Sequence, residues 1–154
     1  MPGTTRRDPH SGPVPGSAWA ADAEARGRGR VEVFNATRPG GLDGWTMDAA
    51  QYELMRAHVL DTVDDLAGPD GSVPLRDVVA AAQERYATHP LFPGGRLRNY
   101  CTYTKVDLEA RCEIERVPGS SPQRIRRWTG DAPPRWTGGQ AGTETPTPPR
   151  VSAP

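Results

Sequence analysis

The chain has 154 residues, with 19 basic and 19 acidic side chains and a formal net charge of zero. This length suits one domain with tails, and the neutral balance speaks against a dedicated nucleic-acid binder, whose domain pI usually exceeds about 9. No stretch approaches the roughly 18 apolar residues of a membrane span, and the first residues hold no apolar run of a secretory signal, so a cytoplasmic protein with no membrane partner is expected.

Glycine and proline, 17 of each, crowd the two ends. Such segments bury too little apolar surface to offset chain entropy. Residues 1–30 therefore read as a disordered N-terminal arm and 129–154 as a disordered Pro/Gly-rich tail, around one domain at 31–128. Residues 31–93 carry ten acids against Arg38, Arg56, Arg76 and Arg85, a net of −6. Residues 94–128 carry eight basic groups against Asp107, Glu109, Glu113 and Glu115, a net of +4. Lys105 is the one lysine, and the arginine bias with abundant Ala, Gly and Pro suggests a GC-rich bacterial genome.

Within the arm, SAWAADAEAR around Trp19 suggests a transient turn of helix, and ARGRGR (Ala25–Arg30) reads as a basic, solvated linker. RVEVFN (Arg30–Asn35) alternates and predicts a short strand. RPGGLDGW (Arg38–Trp45) reads as a turn-rich connector. The first helix follows in TMDAAQYELMRAHVLDTVDDLAG, with Asp48 as N-cap and Gln51 completing a capping box. Tyr52, Met55, Val59, Val63 and Leu66 form its apolar stripe, and Asp61, Asp64 and Asp65 lie on a solvated face. Gly68 to Gly71 ends it.

SVPLRDVVAAAQERYA predicts the second helix, capped by Ser72, with Pro74 in its first turn. Its buried stripe is Leu75, Val78, Val79, Ala82 and Tyr86. THPLFPGG (Thr88–Gly95) is a loop, because His89 and Phe92 each precede a proline; its Leu91 and Phe92 are expected to plug the core edge. The third helix runs from about Arg96 to Arg111, with Leu97, Cys101, Thr104 and Leu108 toward the core. Cys101 and Cys112 are both assigned to it, about 16 Å apart by helical rise, too far for a disulfide. Glu113–Val117 and Gln123–Trp128 alternate around PGSSP and predict a hairpin.

The expected fold is thus α+β: strand, three helices, hairpin. In VDLEARCEIERV (Val106–Val117) a helix bearing Leu108 exits tightly at Cys112, and Ile114 then opens a strand bearing Arg116. This resembles the recognition-helix-to-wing junction of winged-helix domains. Their exit position is usually Gly, so with Cys112 a less sharply left-handed turn is expected. More narrowly, VEVFNATRPG, LFPGG and YCTYTKVDLEAR with the later IER resemble a family of small bacterial proteins known only as a domain of unknown function, over about 31–128. The resemblance implies a winged-helix-like domain with a C-terminal β-hairpin wing and a short N-terminal strand. It transfers no activity and no catalytic residue.

In winged-helix proteins the third helix often lies in the DNA major groove and the wing touches backbone or minor groove. Opposite its core side the third helix carries Arg96, Asn99 and Thr102, with Arg98 and Lys105 on the flanks, side chains suited to base edges and phosphates. The hairpin adds Arg124, Arg126 and Arg127 for phosphate, or for cross-strand pairing to Glu113 and Glu115. The helix's second half departs from a DNA-reading pattern. Tyr103, Val106 and Ala110 form a second apolar stripe, to be covered by the chain's own first strand and Trp45 loop or by another subunit.

His10, His58 and His89 have no metal-ligand spacing, no phosphate loop or nucleophile motif is present, and no cofactor or catalytic residue is expected. Two functions therefore stand open. One is a DNA-binding transcriptional regulator on double-stranded DNA, as a homodimer. The other is a protein-interaction or dimerisation module without nucleic-acid binding.

Overall fold

The computed structural model describes residues 13–130. The disorder expected for 1–12 and for 131–154 lies outside the described residues. Elements follow in the order α1 (Gly16–Gly27), β1 (Arg30–Phe34), β2 (Leu42–Asp48), α2 (Ala49–Leu66), β3 (Ser72–Pro74), α3 (Leu75–Tyr86), α4 (Leu97–Ala110), β4 (Ile114–Arg116) and β5 (Arg124–Arg127). The fold is mixed α+β, with four α-helices and two small antiparallel sheets among the described residues. One sheet is the β1–β2 hairpin; the other is three-stranded, in the order β3-β5-β4.

Three expectations need correction. The first is the count of three helices. A helix of twelve residues is marginal alone in water, but α1 buries Ala18, Trp19, Asp22 and Ala25 on one side. Trp19 meets Phe34 edge-to-face at 5.1 Å, and burying an aromatic side chain contributes on the order of 1.5–3 kcal/mol. Docking therefore holds a helix that propensity alone leaves transient, within the segment read as an arm.

The second correction concerns Arg38–Trp45. The connector is a hairpin turn, and Leu42–Asp48 is a strand paired to β1 in the register Val31↔Met47 and Phe34↔Leu42, with a bulge between Glu32 and Phe34. The turn needs left-handed glycines: Gly40 and Gly41 lie at φ 72° and 80°.

The third concerns the second helix. Ser72 does not cap it but lies in β3, where Val73 pairs with Ile125; Pro74 holds the N-cap position. Asp48 does cap α2, accepting from the Ala50 and Gln51 N–H groups at 3.0 and 3.3 Å. Gln51 does not close the capping box. Its amide donates to the Leu91 carbonyl at 2.6 Å and fastens the loop before α4.

The main core joins α2, α3, α4 and the three-stranded sheet through Met55, Val59, Val78, Leu97, Leu108 and Ile125, among others. Leu97, Cys101, Thr104 and Leu108 are buried as the spacing predicts. Two further clusters tie the N-terminal elements to this core. Val31, Val33, Met47 and Tyr52 join the hairpin to α2. Val14, Ala18, Trp19, Phe34 and Ala110 join α1 and β1 to the end of α4.

Helix α4 ends in a Schellman motif. The Glu113 N–H donates to Leu108 O at 2.9 Å and the Cys112 N–H to Glu109 O at 3.1 Å. Cys112 therefore lies past the helix, not on it, and its φ of 63° is fully left-handed, against expectation. That conformation costs a non-glycine residue roughly 1–2 kcal/mol. The two hydrogen bonds and the burial of the Cys112 side chain offset it.

Candidate functional site

Helix α4 has two halves with different environments. Its C-terminal half is sealed by the N-terminal elements through a buried ionic network. Asp107, fully buried, accepts from the Phe34 N–H at 2.8 Å, from the Tyr52 hydroxyl at 2.6 Å and from Arg111 Nε at 2.9 Å. Arg111 also donates to Asp22 Oδ2 at 3.0 Å and to the Glu32 carbonyl at 2.8 Å. Its guanidinium lies over the Phe34 ring, 3.9 Å from the centroid. Asp22 further accepts from Arg26 Nε at 2.9 Å and from the Glu32 N–H at 3.1 Å. Four elements, α1, β1, α2 and α4, thus meet in one hydrogen-bonded cluster.

Burial acts on each charged form in this cluster. It pushes the Asp107 carboxyl upward, against the pull of Arg111 and the two other donors. Asp22 is likewise desolvated, but Arg111 and Arg26 outweigh burial and hold it below the usual carboxylate range. Tyr52, desolvated beside Asp107, is pushed well above the usual phenol range and stays a hydrogen-bond donor. None of the buried side-chain nitrogens and oxygens of Asp22, Tyr52, Asp107 and Arg111 is left without a partner. The network is a structural lock.

The N-terminal half of α4 remains open. There a cleft of about 360 Å³ is lined by Trp45 from β2 and by Arg96, Asn99, Tyr100 and Tyr103. Trp45 and Tyr103 pack edge-to-face at 5.2 Å with an interplanar angle of 77°. The Trp45 indole N–H donates to Asp43 Oδ2 at 2.7 Å, which fixes the ring. Tyr100 is anchored from behind by Phe92 at 5.2 Å. Arg96, Asn99 and Tyr103 are exposed. Arg96 and Arg98 form no ion pair with another described residue, and the Asn99, Tyr100 and Tyr103 side chains make no hydrogen bond within the described residues.

The residues singled out for DNA separate into two groups. Arg96 and Asn99 line the cleft; Arg98 is exposed and does not line it. Thr102 is half-buried, its hydroxyl donating to the Asn99 carbonyl at 3.2 Å. The others are engaged within the fold. Lys105 is buried, 3.1 Å from Glu109. Arg124 donates to Ser72 Oγ at 2.8 Å and to the Ser72 carbonyl at 3.1 Å. Arg126 pairs with Glu115 at 2.7 Å and Arg127 with Asp64 at 2.9 Å. Glu113 faces Arg56 of α2, not the wing arginines.

The apolar stripe is covered mainly by the chain itself. Ala110 is buried among Trp19 and Phe34, Val106 is half-buried, and Tyr103 leans on Trp45 while remaining 44% exposed. A second cleft, of about 390 Å³, lies at the turn between β4 and β5 among Pro74, Arg76, Ser120, Ser121, Pro122 and Arg124. It has no aromatic wall, and its Arg124 is already bound to Ser72.

Sequence reasoning set the Trp45 loop against the second stripe of the helix, though as a connector and not a strand, and missed Tyr100 as a lining residue and Asp22, Tyr52 and Arg111 as the lock. Two signals were available. A Pro-Gly-Gly turn between apolar runs is a hairpin signature. Asp107 and Arg111 stand at i and i+4, the spacing of a helical ion pair.

A family model described as "Family of unknown function (DUF6958)" matches residues 30–125. No curated protein and no solved structure matches the chain.

Proposed function

We propose, from the premise that the chain belongs to this family of unknown function through residues 30–125, that it is a winged-helix-like binding module which recognises a short segment of another protein and performs no chemistry. The winged-helix reading draws support from the order α2, β3, α3, α4, β4, β5 and the strand order β3-β5-β4. On this reading α4 occupies the recognition-helix position, and α1 with the β1–β2 hairpin is an addition.

The observation that carries the functional reading is the covering of α4 by that addition, fixed at the Phe34 N–H to Asp107 bond of 2.8 Å. The major groove is about 12 Å wide, and a bare helix with its side chains already measures about 10–12 Å across. With β1 held against it at Asp107, the C-terminal half of α4 is too broad to enter, which leaves only its first turns open to a groove. The wing arginines support the same reading, because each is engaged within the chain. A stable homodimer is disfavoured by the surface: Leu66 and Tyr103 are the large apolar side chains exposed among the described residues, whereas a standard interface covers about 800 Å² per partner.

The second reading, nucleic-acid contact, is favoured by one observation: Arg96 and Arg98 have no ion-pair partner among the described residues. Fluorescence-anisotropy titration of the full chain against mixed-sequence duplex DNA at low salt separates the two. The module reading expects no saturable binding. Saturation in the range of non-specific binders, about 10⁻⁴–10⁻⁶ M, abolished by Arg96→Ala with Arg98→Ala, refutes it.

A further inference from the structure

The reading as a protein-interaction module leaves the partner's chemistry open, and the cleft at the start of α4 narrows it. We infer that this cleft docks an extended, proline-bearing segment of another protein, with an acidic residue next to the proline.

Shape comes first. Small-ligand pockets enclose roughly 70–90% of their ligand. Three of the five lining residues here, Arg96, Asn99 and Tyr103, are themselves exposed. Such a cleft covers one side of a ligand and suits a chain laid across it. The rings come second. Trp45 and Tyr103 stand 77° apart and form a corner, not a parallel clamp for a flat heterocycle. A corner of aromatic faces receives a puckered pyrrolidine ring, and proline-rich segments in polyproline II geometry dock in aromatic-lined grooves. Such a segment is already extended when free, so ordering it costs little.

Hydrogen bonding comes third. A polyproline II backbone makes no internal hydrogen bonds and leaves its carbonyls open. The Asn99 amide and the Tyr100 and Tyr103 hydroxyls have no side-chain partner within the described residues and can donate to those carbonyls. Charge comes last and sets the sign. Arg96 is the one charged residue among the five that line the cleft, and it has no ion-pair partner among the described residues. Of the two acids of the adjoining strand, Asp43 is taken up by Asn35 at 3.0 Å, Trp45 at 2.7 Å and Arg38 at 3.4 Å, and Asp48 caps α2; neither lines the cleft. The local balance is positive, so the complementary segment is acidic.

The test is titration of the full chain with three blocked, fluorophore-labelled peptides: repeats of glutamate–proline–proline, of lysine–proline–proline, and of glutamate–alanine–alanine. The first is expected to bind at least about tenfold more tightly than either control, since reversing the peptide charge turns attraction into repulsion at Arg96. Binding of that peptide is also expected to shift the Trp45 indole and Asn99 amide NMR signals. Arg96→Glu with Arg98→Glu should invert the preference toward the lysine peptide, a rescue that unfolding cannot mimic. Tyr103→Ala should weaken both peptides.

Equal binding of the three peptides overturns the inference, as does binding of none. In either case the module reading survives if duplex DNA also fails to bind, and falls with the inference if DNA binds. The chain's own residues 144–149 carry Glu144, Pro146, Pro148 and Pro149. If replacing those three prolines with alanine moves the Trp45 and Asn99 signals before any peptide is added, the occupant is that segment, and the assignment to another protein is overturned.

Discussion

Replacing Arg111 with Met tests whether the buried network holds the N-terminal elements on α4. The side chain donates at 2.9 Å to Asp107, 3.0 Å to Asp22 and 2.8 Å to the Glu32 carbonyl. Methionine keeps most of the volume and removes all three bonds. Asp107 retains the Tyr52 and Phe34 donors and Asp22 retains Arg26 and the Glu32 N–H, but the central counter-charge is gone. Removing one partner of a buried ion pair costs about 3–5 kcal/mol, against total stabilities of about 5–15 kcal/mol. Arg127→Met is the reference. Its pair with Asp64 is about half exposed on both sides, so it should cost below about 1 kcal/mol.

Acid supplies a second readout. Arg111 and Arg26 hold Asp22 below its usual range, so this group stabilises the wild type above the unfolded pKa of about 3.9 and loses that contribution as pH falls through the folded value. In Arg111→Met both carboxylates lose this cation, and protonation relieves them. The variant's deficit should therefore shrink from neutral pH to about pH 4.5, by linkage. Urea unfolding followed by circular dichroism at the two pH values measures it. A deficit below about 1 kcal/mol at neutral pH, or one that grows on acidification, refutes the assignment. Should Arg111→Met fail to fold, Arg111→Lys keeps the charge without the planar fork and should fall between the two.

Three further outcomes are expected. Burial lowers His58 below its usual range; its Nε2 lies 3.0 Å from the Val78 carbonyl. As a base with a depressed folded pKa it contributes fully above about pH 6.5 and opposes folding as pH falls below it, by at most about 1.4 kcal/mol per pH unit. Denaturation curves of His58→Gln should lack this slope, and an unchanged slope would place it elsewhere. Burial pushes the Cys101 thiol up to about 12, so at pH 8 iodoacetamide should label it, by mass spectrometry, no faster than the chain unfolds. Prompt labelling of the native protein contradicts the buried assignment. Gly41→Ala combines a φ of +80° with a Cβ only 2.6 Å from Val14 Cγ1, whereas Gly40→Ala, at φ +72°, meets open space. Gly40→Ala should cost about 1–2 kcal/mol from backbone strain and Gly41→Ala clearly more; equal losses in melting temperature would mean that Val14 yields freely.

What the sequence made legible follows what each signal measures. Helical periodicity reports burial, so the stripes of α2, α3 and α4 were found where they lie, except that Leu66, at the end of the α2 stripe, is exposed past the reach of the core. Strand β2 was not found, because its residues do not alternate: Leu42, Asp43, Trp45 and Thr46 are all half-buried and only Met47 is buried. Its pairing with β1 makes it a strand. Strand β3 is three residues long and ends in Pro74, and it pairs with β5 about fifty positions later. No local pattern encodes such a pairing. Asp107 was counted only as one acid in a basic segment, and its partners, Phe34 and Tyr52, are 73 and 55 positions away.

The sequence left the second stripe of α4 to the first strand and Trp45 loop or to another subunit, and the chain itself supplies the cover, with Phe34 on Ala110 and Trp45 on Tyr103. A helix free on one side offers a face along its whole length. Helix α4 packs on the core along one side and is bonded to β1 along another at its C-terminal half. Its open surface is then a strip through Arg96, Asn99 and Tyr103, spaced by three and four positions and therefore aligned along the axis. Lys105 lies off that strip and is buried against Glu109. On the function proposed above, recognition by α4 would rest on one cation, one amide and one aromatic hydroxyl beside Trp45, a set too small to read a run of base pairs and sufficient to hold a few residues of an extended chain.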